Sequence, residues 1–128
     1  MAFSFSKKSV LITGGTGSLG NALLQTLLSS FPDLKRIVIY SRDELKQFEQ
    51  RHQYVHSPIP IEWRIGDVRD YERLLEVCKE IDIIFHVAAL KHVHSCESNP
   101  QECIKTNYEG SIALLKAAEK RGVQKLIA

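Results

Sequence analysis

Ser9-Val10-Leu11-Ile12-Thr13-Gly14-Gly15-Thr16-Gly17-Ser18-Leu19-Gly20 decides how the rest of this chain is read. A short apolar run, Val10 to Ile12, leads into a glycine-rich loop, and the loop leads into a segment with helical periodicity. Strand, glycine loop and helix in that order are the context that a dinucleotide fingerprint requires. Gly14, Gly17 and Gly20 stand three apart. An early glycine permits the tight turn out of the strand, a middle one lets backbone approach a pyrophosphate, and the last lets the helix pack closely on the sheet. The unpaired N–H groups and positive dipole end of the following helix favour a phosphate. A glycine turn that binds nothing is the competing reading, and the agreement of placement with spacing weighs against it.

Outward from that loop the chain alternates strand with helix. Ser9 to Thr13 is the first strand, apolar enough to be buried on both faces as in a parallel sheet. From Ser18 a helical stripe of Leu19, Leu23, Leu27 and Phe31, flanked by Leu24 and Leu28, ends at Pro32-Asp33. Arg36 to Tyr40 is a β-branched second strand, and Ser41 with Glu44 reads as a capping box opening a helix to about Tyr54. His56 to Pro60 is a loop, Ile61 to Ile65 a third strand, and Asp70 the N-cap of a helix carrying Leu74, Leu75 and Cys78. Asp82 to Val87 is a fourth strand, followed by Ala88-Ala89 and a loop from Leu90 to Ser98. Asn99-Pro100 starts a long helix with the stripe Ile104, Tyr108, Ile112 and Leu115, which ends at Gly122. Val123 to Ala128 begins a fifth strand. The pattern predicts an α/β fold, a doubly wound parallel (Rossmann) sheet in the order 3-2-1-4-5, with the switch point between strands 1 and 4 above the glycine loop.

Composition narrows the function classes. At 128 residues the chain is one domain. A net charge of +2 is too small to argue for nucleic acid or a membrane surface, and no apolar run approaches the roughly 20 residues of a membrane span. Three cysteines in an unstapled composition point to reduced thiols and a cytoplasmic protein.

The end of the second strand chooses between nucleotides. An acid there would bond a ribose 2′-hydroxyl, whereas an arginine accommodates a 2′-phosphate. The strand ends Tyr40-Ser41-Arg42, and Lys46 follows one helical turn on, which favours NADP; Asp43 is the argument for NAD. Asp67-Val68, after the third strand, stand where an adenine ring lies in such folds, although a turn aspartate fits the spacing nearly as well. His92, His94, Cys96 and Cys103 are zinc-type ligands in a spacing that is not a standard structural site, so no metal is assigned. His86, inside an apolar strand, reads as a satisfied core histidine, and Asn107 alone says little.

Together these pieces resemble the extended short-chain dehydrogenase/reductase superfamily, whose loop pattern is Thr-Gly-x-x-Gly-x-x-Gly. More narrowly, the chain is similar to the UDP-N-acetylglucosamine 4,6-dehydratases of surface-polysaccharide biosynthesis. The matching segments are Leu11 to Ser18, Tyr40 to Lys46, Gly66 to Asp70, Ala88 to Val93 and Glu102 to Asn107, of which the second and fourth are the more specific to this branch. The resemblance implies NADP held at Gly14, Thr16, Gly17, Ser18, Leu19 and Gly20, at Ser41, Arg42, Asp43, Glu44, Leu45 and Lys46, at Asp67 and Val68, and at Thr106 and Asn107. Val87, Ala88 and Ala89 would lie beside it, and Lys91 would touch both cofactor and sugar. In the reaction so implied, hydride leaves sugar C4 for the nicotinamide, water is eliminated across C5 and C6, and the hydride returns at C6. The implied partner is a nucleotide sugar such as UDP-N-acetylglucosamine.

One departure stands out. The superfamily relies on Tyr-x-x-x-Lys, the tyrosine acting as acid and base. Here Glu44, Pro58, Leu75 and Ile112 stand four residues after Tyr40, Tyr54, Tyr71 and Tyr108, so no catalytic residue is assigned. The branch's Asp-Lys pair falls just past the fifth strand, where this sequence stops at Ala128. The sequence therefore reads as the cofactor-binding half of a dehydratase, inactive alone and prone to form a homo-oligomer through its last strand. A stand-alone nucleotide-binding module, or a related epimerase or reductase, is the alternative.

Overall fold

The computed structural model describes residues 4–87 and 100–127, with the side chains of 100–108 outside that description. Five strands, β1 (Ser9–Thr13), β2 (Arg36–Ser41), β3 (Ile61–Ile65), β4 (Ile83–His86) and β5 (Lys125–Ile127), form one sheet in the order β3-β2-β1-β4-β5. Every pairing is parallel. The helices are α1 (Ser18–Ser30), α2 (Glu44–Gln53), α3 (Tyr71–Val77) and α4 (Pro100–Arg121). This is the doubly wound Rossmann sheet that the alternation predicts.

β1 is central, and all five of its residues are buried. Its alternation divides the core in two, because successive side chains leave opposite faces of a strand. Leu11, with Val38, Tyr40 and Ile84, packs under α3 and α4. Val10 and Ile12, with Ile37, Ile39 and Ile83, pack under α1 through Leu24 and Leu27. Thr13 is level with Tyr40 on one side and His86 on the other, so three strand tips end together at the switch point.

Three local expectations are corrected. The N-cap of α2 is Asp43, whose side chain accepts from the Lys46 N–H, and Ser41 remains paired with Ile65 as the last residue of β2. β2 thus holds one residue more than the apolar run suggested, which leaves Ser41 no freedom to cap. Leu19 is 53% exposed, because α1 buries Gly20, Leu24 and Leu27, and position 19 lies off that face at the mouth of the loop. On α4 the described part buries Gly110, Ala113, Leu114, Ala117 and Ala118, while Leu115 is exposed. Small residues make this stripe because α4 comes close to its neighbours: a Cβ on Gly110 would meet Val68 Cγ2 at 2.8 Å. Ile104 and Tyr108 of the expected stripe fall outside the described side chains, as does the expected cap Asn99. Gly122, at φ +71°, closes α4 as read.

Candidate functional site: the cradle at the switch point

Gly14 turns the chain out of β1 with φ +75°, in the left-handed region that glycine enters without a steric penalty. Its N–H donates to the Tyr40 carbonyl at 2.8 Å, which fixes the loop to the tip of β2. A Cβ on Gly20 would stand 2.5 Å from both the Gly14 oxygen and the Gly15 Cα, so α1 can reach the loop only with glycine there. Gly17 differs. A Cβ there meets nothing nearer than the Gly14 oxygen at 3.8 Å, and the space in front of it is open.

Gly17 is also the N-cap of α1, and no side chain caps that helix. Among the described residues the N–H groups of Thr16, Ser18 and Leu19 take no hydrogen-bond partner, and the first turn of α1 holds no acid. Unpaired amides at the positive end of a helix form an anion site. The cradle therefore fits a pyrophosphate on its own geometry.

Beside it runs a groove of about 310 Å³, walled by Thr16, Gly17, Ser18 and Asn21 on one side and by Lys46, Glu49, Gln50 and Gln53 of α2 on the other. Arg42, 60% exposed, stands at the head of α2 with its guanidinium 3.7 Å from Asp67 Oδ2. Arg69 holds that same carboxylate more firmly: its backbone N–H and Nε donate to Oδ1 at 2.8 and 3.2 Å, and Nη2 donates to Oδ2 at 3.0 Å. Asp67 is consequently acidic beyond the usual carboxylate range, first through the Arg69 side-chain hydrogen bond, with Arg42 the smallest contributor. Arg42 is the partner that can leave at least cost. Asp43 spends Oδ1 on its cap, 3.0 Å from the Lys46 N–H.

The remaining sequence candidates are placed as follows. Ser41 lies at the tip of β2, and Glu44 and Leu45 are exposed on the first turn of α2. Val68 packs against the α3/α4 side of the core beside Gly110, and Val87 is buried on the opposite side. His86 is a satisfied core histidine: its Nδ1 and the Thr13 hydroxyl share a 2.7 Å hydrogen bond, and Nε2 lies 3.4 Å from Ser111 Oγ. Ala88, Ala89 and Lys91 lie outside the described residues, as do His92, His94 and Cys96; Thr106, Asn107 and Cys103 lie on α4 among the side chains not described.

Sequence reasoning passed over the polar network behind the cradle. The two buried residues of α2 are both glutamines, Gln47 and Gln50. Gln47 Nε2 donates to Ser41 Oγ at 2.9 Å and to the Arg64 carbonyl at 2.8 Å. Gln50 donates to the Gly15 carbonyl at 2.9 Å and accepts from Trp63 Nε1 at 2.9 Å. Tyr40, buried and donating to the Asp67 carbonyl at 2.7 Å, ties β2 to the turn after β3, and burial pushes its phenol well above the usual range. A signal was present. Leu45 and Phe48 are each 66% exposed, so the apolar residues of α2 do not mark its inner face, and the glutamines three apart do.

A doubly wound sheet with an open anion cradle at its switch point defines a Rossmann-type α/β domain. Residues 10–128 match the family of polysaccharide biosynthesis proteins, and the chain belongs to that family. It is 48% identical over 124 residues to the inverting UDP-N-acetylglucosamine 4,6-dehydratase of Campylobacter jejuni serotype O:2, covering 97% of this chain and 36% of that protein. It is 46% identical over 125 residues to the UDP-glucose 4-epimerase of Rickettsia bellii, covering 96% of this chain and 36% of that protein. Among solved structures it superposes with a TM-score of 0.75 on the dTDP-glucose 4,6-dehydratase DesIV of Streptomyces venezuelae, determined with NAD and TYD bound. That match has 25% identity and covers 92% of this chain and 38% of DesIV. The chain thus spans about a third of the length of the relatives it matches. These relatives are enzymes acting on nucleotide sugars, dehydratases and epimerases alike. No helix among the described residues is long and apolar enough to cross a membrane.

Proposed function

We propose that the cradle and groove are a dinucleotide site, and that this chain is the cofactor-binding part of an NADP-dependent nucleotide-sugar 4,6-dehydratase. The observation that carries the reading is the uncapped N-terminus of α1 at Gly17, with open space where a side chain would stand. Thr16, Ser18 and Leu19 present backbone N–H groups to the pyrophosphate, Gly17 leaves room for it, and α1 adds its dipole. Arg42 leaves Asp67 to Arg69 and takes the 2′-phosphate, with Lys46 and the Ser41 hydroxyl beside it. Asp67 Oδ2 faces one guanidinium donor and a longer ion pair, which leaves it acceptor capacity for an adenine amino group. When bound, the nicotinamide supplies a reversible hydride acceptor. Lys91, past the end of β4, is the residue of this chain assigned to both the cofactor and the sugar.

Calorimetric titration of the chain with NADP and with NAD tests the site. NADP binding at least about tenfold tighter than NAD, a difference of about 1.4 kcal/mol, is the expected result, and Arg42→Ala abolishes the preference. Tighter binding of NAD overturns the assignment of Arg42, and binding of neither overturns the site. Mass spectrometry of UDP-N-acetylglucosamine incubated with the gene's full product separates the two enzyme classes. Loss of one water identifies a dehydratase, and an isomer of unchanged mass that separates from the substrate by chromatography before the spectrometer identifies an epimerase.

A further inference from the structure

The geometry points to Gln50 as a positioning residue of the dinucleotide site, acting through the Gly15–Thr16 peptide, an inference that rests on the proposed reading of the cradle. Gln50 is 5% exposed and sits in the middle of α2, a helix that buries no apolar side chain. Both ends of its amide are engaged. Nε2 donates to the Gly15 carbonyl at 2.9 Å and to Asn21 Oδ1 at 3.3 Å, while Oε1 accepts from Trp63 Nε1 at 2.9 Å. Tyr54 also donates to Asn21 Oδ1, at 3.1 Å, so α1, α2, β3 and the glycine loop meet at one side chain.

The consequence follows from the planarity of the peptide bond. In a trans peptide the C=O of one residue and the N–H of the next point in opposite directions. Gln50 draws the Gly15 carbonyl inward, and the N–H of Thr16 is thereby turned outward, on the side where the anion is bound. Neither Gly15 nor Thr16 takes part in a strand or helix, so no ladder sets that peptide plane; Gln50 does. A buried hydrocarbon at position 50 would take this partner from the Trp63 N–H and from the Gly15 carbonyl, and would leave that carbonyl free to turn into the site. Trp63, the single tryptophan of the chain, is hydrogen-bonded to the same amide and reports on it.

Gln50→Glu separates the two contacts: a carboxylate keeps an acceptor for Trp63 but has no donor for Gly15. The variant is expected to bind ADP and NADP about tenfold more weakly while its affinity for 2′-AMP, which lacks a pyrophosphate, stays within about twofold. Trp63→Phe keeps the Gly15 contact and is expected to bind all three ligands within about threefold of the parent chain. In the parent chain ADP shifts the Trp63 emission, and in Gln50→Glu it does not. Should Gln50→Glu fail to fold, the parent chain answers alone: on adding ADP, the Gln50 side-chain amide and Thr16 backbone amide resonances should move together. Equal affinity of parent and Gln50→Glu for ADP, equal loss for ADP and 2′-AMP, or a moving Thr16 amide beside a still Gln50 amide each overturns this inference alone. Failure of the parent chain to bind ADP or NADP overturns it together with the dinucleotide reading.

Discussion

The N-terminus of α1 and the N-termini of α2 and α3 solve the same problem differently. Each helix begins with N–H groups that have no partner within it. Asp43 caps α2 by accepting from the Lys46 N–H, and Asp70 caps α3 by accepting from the Arg73 N–H at 3.1 Å. Each is followed by a glutamate in the first turn, which suits the helix dipole. At α1 the cap is Gly17, with no side chain, no acid in the first turn and open space in front. The two capped helices are complete within the chain. The uncapped one leaves its first donors without a partner among the described residues, as the proposed dinucleotide site requires, and it is the one that starts at the switch point of the sheet.

That contrast can be broken or sharpened by substitution. The largest effect is expected at Gly20, where even alanine would place Cβ 2.5 Å from two backbone atoms of the loop. Gly20→Ala should lose about 3 kcal/mol in urea unfolding and all dinucleotide binding, because backbone cannot yield as a flexible side chain does. Unchanged stability would mean that α1 does not approach the loop as described. Next comes Gly17→Asp, which converts α1 into a copy of the other two helices. Its extended backbone, φ −78° and ψ 179°, accepts aspartate without strain. The folded chain should gain about 0.5 kcal/mol from the cap and dipole. The same carboxylate occupies the anion site, so NADP binding should fall by about a hundredfold or more, about 2.7 kcal/mol. Stability and binding moving together in Gly17→Asp would refute the idea that the cap is withheld for a ligand. Asp70→Ala, outside the glycine loop but in the turn that carries Asp67, should cost about 1 kcal/mol of stability and lower NADP affinity far less than Gly17→Asp does.

The smallest effect concerns Asp67, and it depends on pH. The Arg69 hydrogen bond holds its folded pKa below the ordinary value of about 3.9. Such a group adds stability that is complete above the unfolded pKa and is lost as the pH falls through the folded one. Asp67→Asn should therefore destabilise the chain modestly at neutral pH, and the deficit should shrink between about pH 5 and pH 2. A deficit that stays constant over that range would mean that packing, rather than the carboxylate charge, is what was lost.

Much of the fold was legible because the central strands of a parallel sheet are buried on both faces and show as apolar runs, as Ser9–Thr13 does. Ile61–Ile65 was also read to the residue, although this edge strand alternates apolar with charged residues and buries none of them fully, and the strand order followed from the alternation of elements. The glycine spacing and the Asp70 cap were legible for a similar reason, since each is a local requirement met by one residue type. The stripe of α4 was not, because close approach selects Gly110, Ala113 and Ala117 over the large residues that periodicity counts. Nor were the glutamines of α2, since a buried amide is written no differently from an exposed one. Ser41 and Asp43 were confused at the α2 cap because both residue types cap helices, and only the pairing of Ser41 with Ile65 decides between them.

For the cradle with which the chain begins, local sequence determined that a strand would break at Gly14 and a helix start at Gly17, since φ +75° and an empty N-cap are properties of single residues. Tertiary structure alone decided which way the loop's donors face. The Gly15 carbonyl is held by Gln50, thirty-five residues on, and Asp67 is taken by Arg69, which leaves Arg42 available. Those choices depend on hydrogen-bond partners that exist only once α2 and β3 have packed beside β1, because a buried polar group is satisfied by whatever the fold brings to it.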